Sequence, residues 1–176
     1  LLGNTYFSTG NNFKAIECFC DALSLNEGSG DKSSIARLKG NLGNVYYSLG
    51  DYIKSLEYMN AALGVFEELG EKSRVALVTG NIGNIYSSLG DYTKSLEYFS
   101  RSLAEYEELN DNSGIALLTG NLGTLYYSLG NYIKALEYFN QALAVFESLG
   151  EKSRTANIMG NIGSTYLSLS EHTKSL

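Results

Sequence analysis

The sequence predicts an all-α fold, an α-solenoid of stacked antiparallel helix pairs. Three observations predict it. A phrase returns every 40 residues, as GNLGNVYYSLGDY at 40–52, TGNIGNIYSSLGDY at 79–92, GNLGTLYYSLGNY at 120–132 and GNIGSTYLSLSEH at 160–172. Apolar residues within each unit fall at helical spacing, in two runs. Glycine, or asparagine in its place, closes each run: Gly10, Gly50, Gly90 and Gly130 the first, Gly30, Gly70, Asn110 and Gly150 the second. A helix C-terminus in the left-handed conformation requires such a residue.

In chain order the register gives a partial repeat over 1–30, full repeats over 31–70, 71–110 and 111–150, and a partial repeat over 151–176, in a single domain. Leu2 aligns with Leu42 and Leu176 with Leu136, so the chain is expected to enter partway through one helix and to stop in the first turns of another. In each unit helix A runs from about Ser33 to Leu49, with Ser33, Ser73, Ser113 and Ser153, or the preceding Asp31 and Asp111, as N-caps. Its core stripe is Ile35, Leu38, Leu42, Tyr46 and Leu49. Helix B runs from about Asp51 to Leu69, with Tyr52, Leu56, Met59, Leu63 and Phe66 on its inner face. Neither helix hides its stripe alone, so neighbouring units must stack.

Net charge is −6, which argues against nucleic acid or an anionic membrane as partner. No run of 18 apolar residues suggests a membrane span. Cys18 and Cys20 lie two apart on a helix, poorly placed for a disulfide or a metal, and favour a reducing, cytoplasmic compartment. No cofactor or metal is expected. GSGDKS at 28–33 lacks phosphate-loop spacing and reads as a turn, as does NDNSG at 110–114. His172, the one histidine, occupies a tyrosine column, and Glu57, Glu97 and Glu137 repeat on an outer face, whereas acid–base catalysis needs a unique, desolvated pair. No enzyme is expected.

Leu42–Gly43, Tyr46, Ser55, Met59 and Ala62 match the spacing of the tetratricopeptide repeat skeleton. The unit exceeds the usual length of about 34 residues, and the closing proline and early tryptophan are missing. The G-N-L-G-N-x-Y phrase resembles the Leu-Gly-Asn subclass of Pins-type adaptors and is similar to bacterial repeat arrays on signalling enzymes. The resemblance implies a right-handed superhelix whose A helices line a concave groove. It also implies that Gly83 and its column mates sit where helices A and B cross closely.

A second stripe on helix A would then face the groove. In the second repeat it is Arg37, Gly40, Asn41, Asn44 and Tyr47; in the third, Leu77, Gly80, Asn81 and Asn84. Leu117, Gly120, Asn121 and Tyr127 continue it in the fourth, and Asn161 in the fifth. Asparagine is a mediocre helix former, and its amide can pair with a peptide backbone, so these columns predict a groove that grips a protein or peptide segment. Gly80 and Gly120 would leave room for the ligand backbone. The lysines with which chaperone-binding members seize a carboxylate are missing from these positions. The expected function is a protein-interaction scaffold, an arm of a larger protein. The alternative is a structural spacer or a self-association or regulatory module of a signalling enzyme, and end-to-end self-association is expected at high concentration.

Overall fold

The computed structural model describes residues 2–26, 28 and 30–174, with side chains through residue 170. The His172 side chain, Ser29 of GSGDKS and Leu176 therefore lie outside the described residues. Among these residues there are nine helices and no strand. They are α1 (Leu2–Ser8), α2 (Asn12–Asn26), α3 (Lys32–Ser48), α4 (Tyr52–Leu69), α5 (Lys72–Ser88), α6 (Tyr92–Glu108), α7 (Asn112–Ser128), α8 (Tyr132–Ser148) and α9 (Lys152–Lys174). None is long and apolar enough to cross a membrane. The odd-numbered helices are the A helices and the even-numbered ones the B helices.

The turns form for the reasons the sequence supplies. Gly50, Gly70 and Gly130 have φ of 76°, 68° and 73°, and Asn110 fills the same position at φ 52°. The N-caps are the aspartates rather than the serines. Asp31 accepts from the Ser34 N–H at 2.9 Å and Asp111 from the Gly114 N–H at 2.9 Å. Each serine stands two residues past the cap position, inside the helix. Glu71 makes no side-chain cap bond and pairs with Arg74 instead.

The chain forms two compact units, residues 1–98 and 99–176. In unit 1, α1 packs on α2, α2 on α3, α3 on α4 and α4 on α5. Its core gathers Ala15, Phe19, Leu42 and Val45 at one end and Met59, Ala62, Phe66, Ile82 and Ile85 at the other. In unit 2, α8 packs on both α7 and α9, around Ala135, Phe139, Ala142, Phe146 and Ile158. The paired helices cross closely because the expected glycine lies at the crossing. A Cβ on Gly43 would stand 2.9 Å from Met59 Cγ, one on Gly3 2.6 Å from the Phe19 ring, and one on Gly123 2.6 Å from the Phe139 ring. At the α3–α4, α5–α6 and α7–α8 turns, a lysine covers a tyrosine that stacks on another. Lys54 lies over Tyr46, whose ring is 5.4 Å from that of Tyr58; Lys134 lies over Tyr126, 5.3 Å from Tyr138.

Three expectations are corrected. Leu49 is no core residue: it follows the last turn of α3 and is 42% exposed, while Ala36 and Val45 fill the core. The break expected near residue 170 is absent, and α9 continues through it to Lys174. Ser170 stands where the other repeats carry a left-handed glycine, and its hydroxyl donates to the Leu167 carbonyl within the helix. The third correction concerns Gly120. It is buried, and a Cβ on it would stand 2.9 Å from Ile158 Cδ1. The space beside Gly120 is filled by α9, so its missing side chain serves helix packing. Gly40 is less crowded, with Ala62 Cβ at 3.9 Å.

Candidate functional site

Each unit carries a depression between successive A helices, floored by the B helix that joins them. In unit 1, α3 contributes Arg37, Gly40, Asn41 and Asn44, and α5 contributes Leu77 and Asn81. Met59 and Phe66 of α4, with Val78, make an apolar floor. In unit 2, α7 contributes Leu117, Gly120, Asn121 and Thr124, and α9 Asn157, Ile158 and Asn161, over Phe146, in about 480 Å³. A neighbouring depression is lined by Tyr127, Phe139 and Ser164.

The asparagines are spaced to link one helix to the next. Asn41 donates to Asn4 Oδ1 and Asn81 to Asn44 Oδ1, both at 3.4 Å, near the limit for such a bond. Each rung uses one donor of one amide and one acceptor of the other, leaving further capacity on both. In unit 2 the partner position of Asn161 is Thr124, whose hydroxyl donates to the Gly120 carbonyl instead. That rung is therefore missing, and Asn161 is exposed.

No acidic side chain lines either depression, although the chain as a whole has a net charge of −6. Each has an arginine at its wall. The Arg74 guanidinium lies 5.5 Å from the Phe66 ring centre and pairs with Glu71 at 2.5 Å. Arg154 lies 5.5 Å from Phe146, pairs with Glu151 at 2.9 Å and donates to Ser113 Oγ at 2.6 Å. Arg37 is exposed and forms no salt bridge among the described residues; the Asp31 carboxyl is held below its ordinary value chiefly by hydrogen bonds from Ser34, with a smaller contribution from the Arg37 charge.

The structure thus brings Arg37, Gly40, Asn41, Asn44, Leu77 and Asn81 together in unit 1, and Leu117, Gly120, Asn121 and Asn161 in unit 2. Tyr47, Gly80 and Asn84 lie outside these depressions. The Tyr47 hydroxyl meets Ser88 Oγ at 2.9 Å and its ring leans on Tyr52, so it ties α3 to its neighbours. Tyr127 meets Ser168 in the same way. Sequence reasoning missed Arg74, Arg154 and the floor residues Phe66 and Phe146. Their signal was present as an arginine and a phenylalanine that recur in every second repeat and not in every one.

These features define a helical-repeat solenoid with a lined groove and no assembled catalytic group among the described residues. The chain belongs to the tetratricopeptide repeat family, whose signature matches residues 1–68, 34–108, 74–148 and 114–176. No curated protein matches it. Among solved structures it is similar to a Rap protein complexed with competence and sporulation factor, with a TM-score of 0.89 and 23% identity over 98% of this chain and 48% of that one. It is also similar to the Rap conjugation gene regulator of plasmid pLS20 in complex with the Phr* peptide, with a TM-score of 0.75 and 19% identity over 94% of this chain and 49% of that one. BtubC from P. vanneervenii gives a TM-score of 0.76 and 23% identity over 98% of this chain and 72% of that one. The chain spans about half the length of the two Rap proteins. At these identities the likeness shows the fold.

Proposed function

We propose that residues 1–176 form one interaction arm whose A-helix depressions hold an extended peptide or protein segment. The observation that carries this reading is the chemistry of the lining. Asparagine amides with spare donors and acceptors surround an apolar floor, and no acidic side chain lines it. The two similar Rap structures support it, since one is complexed with competence and sporulation factor and the other with the Phr* peptide. The arm binds and does not catalyse, and the free Cys18 and Cys20 suit a cytoplasmic setting. Nucleic acid and membrane surfaces are disfavoured as partners by the net charge of −6.

The test begins with peptides selected from a displayed random library against the chain. Asn41→Ala with Asn81→Ala, and Asn121→Ala with Asn161→Ala, are each expected to weaken binding by roughly tenfold or more. Glu97→Gln with Glu137→Gln, on the exposed B-helix face, should leave binding unchanged, with melting curves confirming the fold. Binding lost only in the glutamate variant would place the contact elsewhere and sink the reading.

We also infer that residues 1–176, taken alone, self-associate at high concentration. Met159, Tyr166 and Leu167 of α9 are 57%, 55% and 68% exposed. Exposed apolar patches drive association. Sedimentation should show concentration-dependent dimers, reduced by Leu167→Lys; a monomer at millimolar concentration argues against it.

A further inference from the structure

Beside the unit 2 depression lies a second hollow, lined by Thr124 and Tyr127 of α7, Phe139 of α8, and Asn161, Ser164 and Thr165 of α9. Phe139 and Thr165 are buried and close its bottom, whereas Thr124, Asn161 and Ser164 are exposed at its walls. The corresponding residues of unit 1 are Asn44 for Thr124, Asn84 for Ser164 and Ile85 for Thr165. Unit 2 has thus exchanged two amides, each with donors and an acceptor, for two small hydroxyls.

Those hydroxyls have their protons committed. The Thr124 hydroxyl donates to the Gly120 carbonyl at 3.3 Å and the Ser164 hydroxyl to the Gly160 carbonyl at 3.1 Å, each one turn back in its own helix. A hydroxyl has one proton, so only lone pairs are left to face the hollow. Asn161 adds an amide oxygen at the α9 wall, without the rung that Asn81 makes to Asn44 in unit 1. Among the described residues no charged side chain lines the space. Helix α7 ends at Ser128, one turn beyond Thr124, and the partial negative charge of a helix C-terminus favours a cation nearby. The walls present acceptors, so a ligand must bring the donors.

We propose that this hollow is a subsite for a primary ammonium group, that of a free amine or of a lysine side chain. An ammonium group carries three N–H donors and no acceptor, which matches Thr124 Oγ1, Ser164 Oγ and Asn161 Oδ1. An alcohol or an amide would set lone pairs of its own against those of the site. The Tyr127 ring lines the same hollow, and a tyrosine ring attracts a cation to its face. The subsite does not depend on the peptide reading of the neighbouring depressions.

The probe is n-butylammonium chloride, titrated into the full chain at neutral pH and constant ionic strength while the Thr124 methyl and the Asn161 side-chain amide are followed by NMR. Both signals should shift and saturate, with a dissociation constant in the millimolar range. n-Butyltrimethylammonium, with the same charge and no N–H, should bind about fivefold more weakly or worse. Thr124→Asn with Ser164→Asn, which installs the unit 1 residues, should abolish the response. Thr124→Val with Ser164→Ala should weaken it about fivefold or more at an equal or higher melting temperature, because hydroxyls bonded one turn back slightly destabilise a helix. Asn121→Ala, which reaches only the neighbouring depression, should leave butylammonium binding unchanged, so the groove reading fails or stands separately. N-acetyl-lysine methylamide decides the source: tighter binding than butylammonium assigns the subsite to a lysine side chain, equal or weaker binding to a free amine. Equal binding of the trimethylated probe, or equal shifts at Asn41 and Asn81 in unit 1, would reduce the effect to the net charge of −6 and overturn the proposal. The absence of a saturable shift at Thr124 and Asn161 overturns it as well.

Discussion

Gly120 and Gly123 lie three residues apart on α7, yet they are held by different neighbours. Gly123 faces the B helix of its own pair, where the Phe139 ring lies 2.6 Å from its missing Cβ. Gly120 faces the next A helix, where the nearest atom is the flexible tip of Ile158. In unit 1, Gly43 likewise meets Met59 of its own pair at 2.9 Å, while Gly40 meets only Ala62 Cβ, also on the B helix of its own pair, at 3.9 Å. The contact inside a pair is tight at the Gly43 and Gly123 crossings. The contact between successive A helices is adjusted position by position, and that is where the depressions lie.

The largest effect should come from filling the tight contact. Gly123→Leu is expected to cost about 3 kcal/mol through overpacking. Gly120→Leu should cost about half as much, because the Ile158 tip can yield. Adding Ile158→Ala to Gly120→Leu should recover part of that loss, whereas no single truncation on α9 should rescue Gly123→Leu. Thermal melting of the three variants decides it; equal losses at both glycines would erase the distinction.

A smaller contrast lies in one B-helix column. Buried Ser55 donates to the Gly43 carbonyl at 2.8 Å, while the buried Ser95 hydroxyl finds no partner among the described residues. Ala15 and Ala135 occupy the same column. Ser55→Ala should therefore cost about 1 kcal/mol, and Ser95→Ala should be neutral or stabilising. The loose glycine gives a gain of similar or lesser size. Gly40→Ala should stabilise by up to about 1 kcal/mol through helix propensity, since an ordinary van der Waals contact awaits its methyl group. A fall in melting temperature would show that the Gly40 position is as crowded as the Gly43 crossing.

The smallest effect is in acid. The carboxyls of Asp51 and Asp91 are held below the ordinary value of 3.8 chiefly by the backbone N–H groups of Lys54 and Lys94. A depressed folded-state pKa contributes stability that is full above the unfolded value and is lost as pH falls through the folded one. In unit 2 Asn131 accepts the Lys134 N–H at the same 3.1 Å without titrating. Asp51→Asn with Asp91→Asn should keep both caps and flatten the decline in melting temperature between about pH 5 and 3.

The fold was legible because its signals are local and repeated. The glycine and asparagine turns, the Gly43 and Gly123 crossings and the inner face of helix B follow from periodicity and backbone geometry alone. Ser170 was equally visible as a missing glycine, but a regular repeat frame invites the eye to continue the pattern through it. The depressions were half legible. The A-helix asparagines stand out because they are poor helix formers, whereas Phe66 and Phe146 read as ordinary core. Arg74 and Arg154 lie near a helix start where charge is expected on the surface. Only the stacking of each arginine on its ring turns them toward the depression, and that is a tertiary fact. Tyr47 was misjudged for the opposite reason, since a tyrosine on a helix face looks the same whether its hydroxyl awaits a ligand or already holds Ser88.

The alternation of Phe66–Arg74, Tyr106–Gly114 and Phe146–Arg154 has a consequence for heredity. An array of near-identical repeats gains and loses units by unequal recombination, and a step of one unit leaves the register of the fold intact. Such a step would nevertheless change the finer register: loss of residues 71–110 sets Phe66 before Gly114. Loss or gain of two units, such as 71–150, sets Phe66 before Arg154, Asn44 before Asn161 and Tyr47 before Ser168, so every partner is restored. Relatives of this chain are therefore expected to differ in length by even numbers of repeats more often than by odd ones.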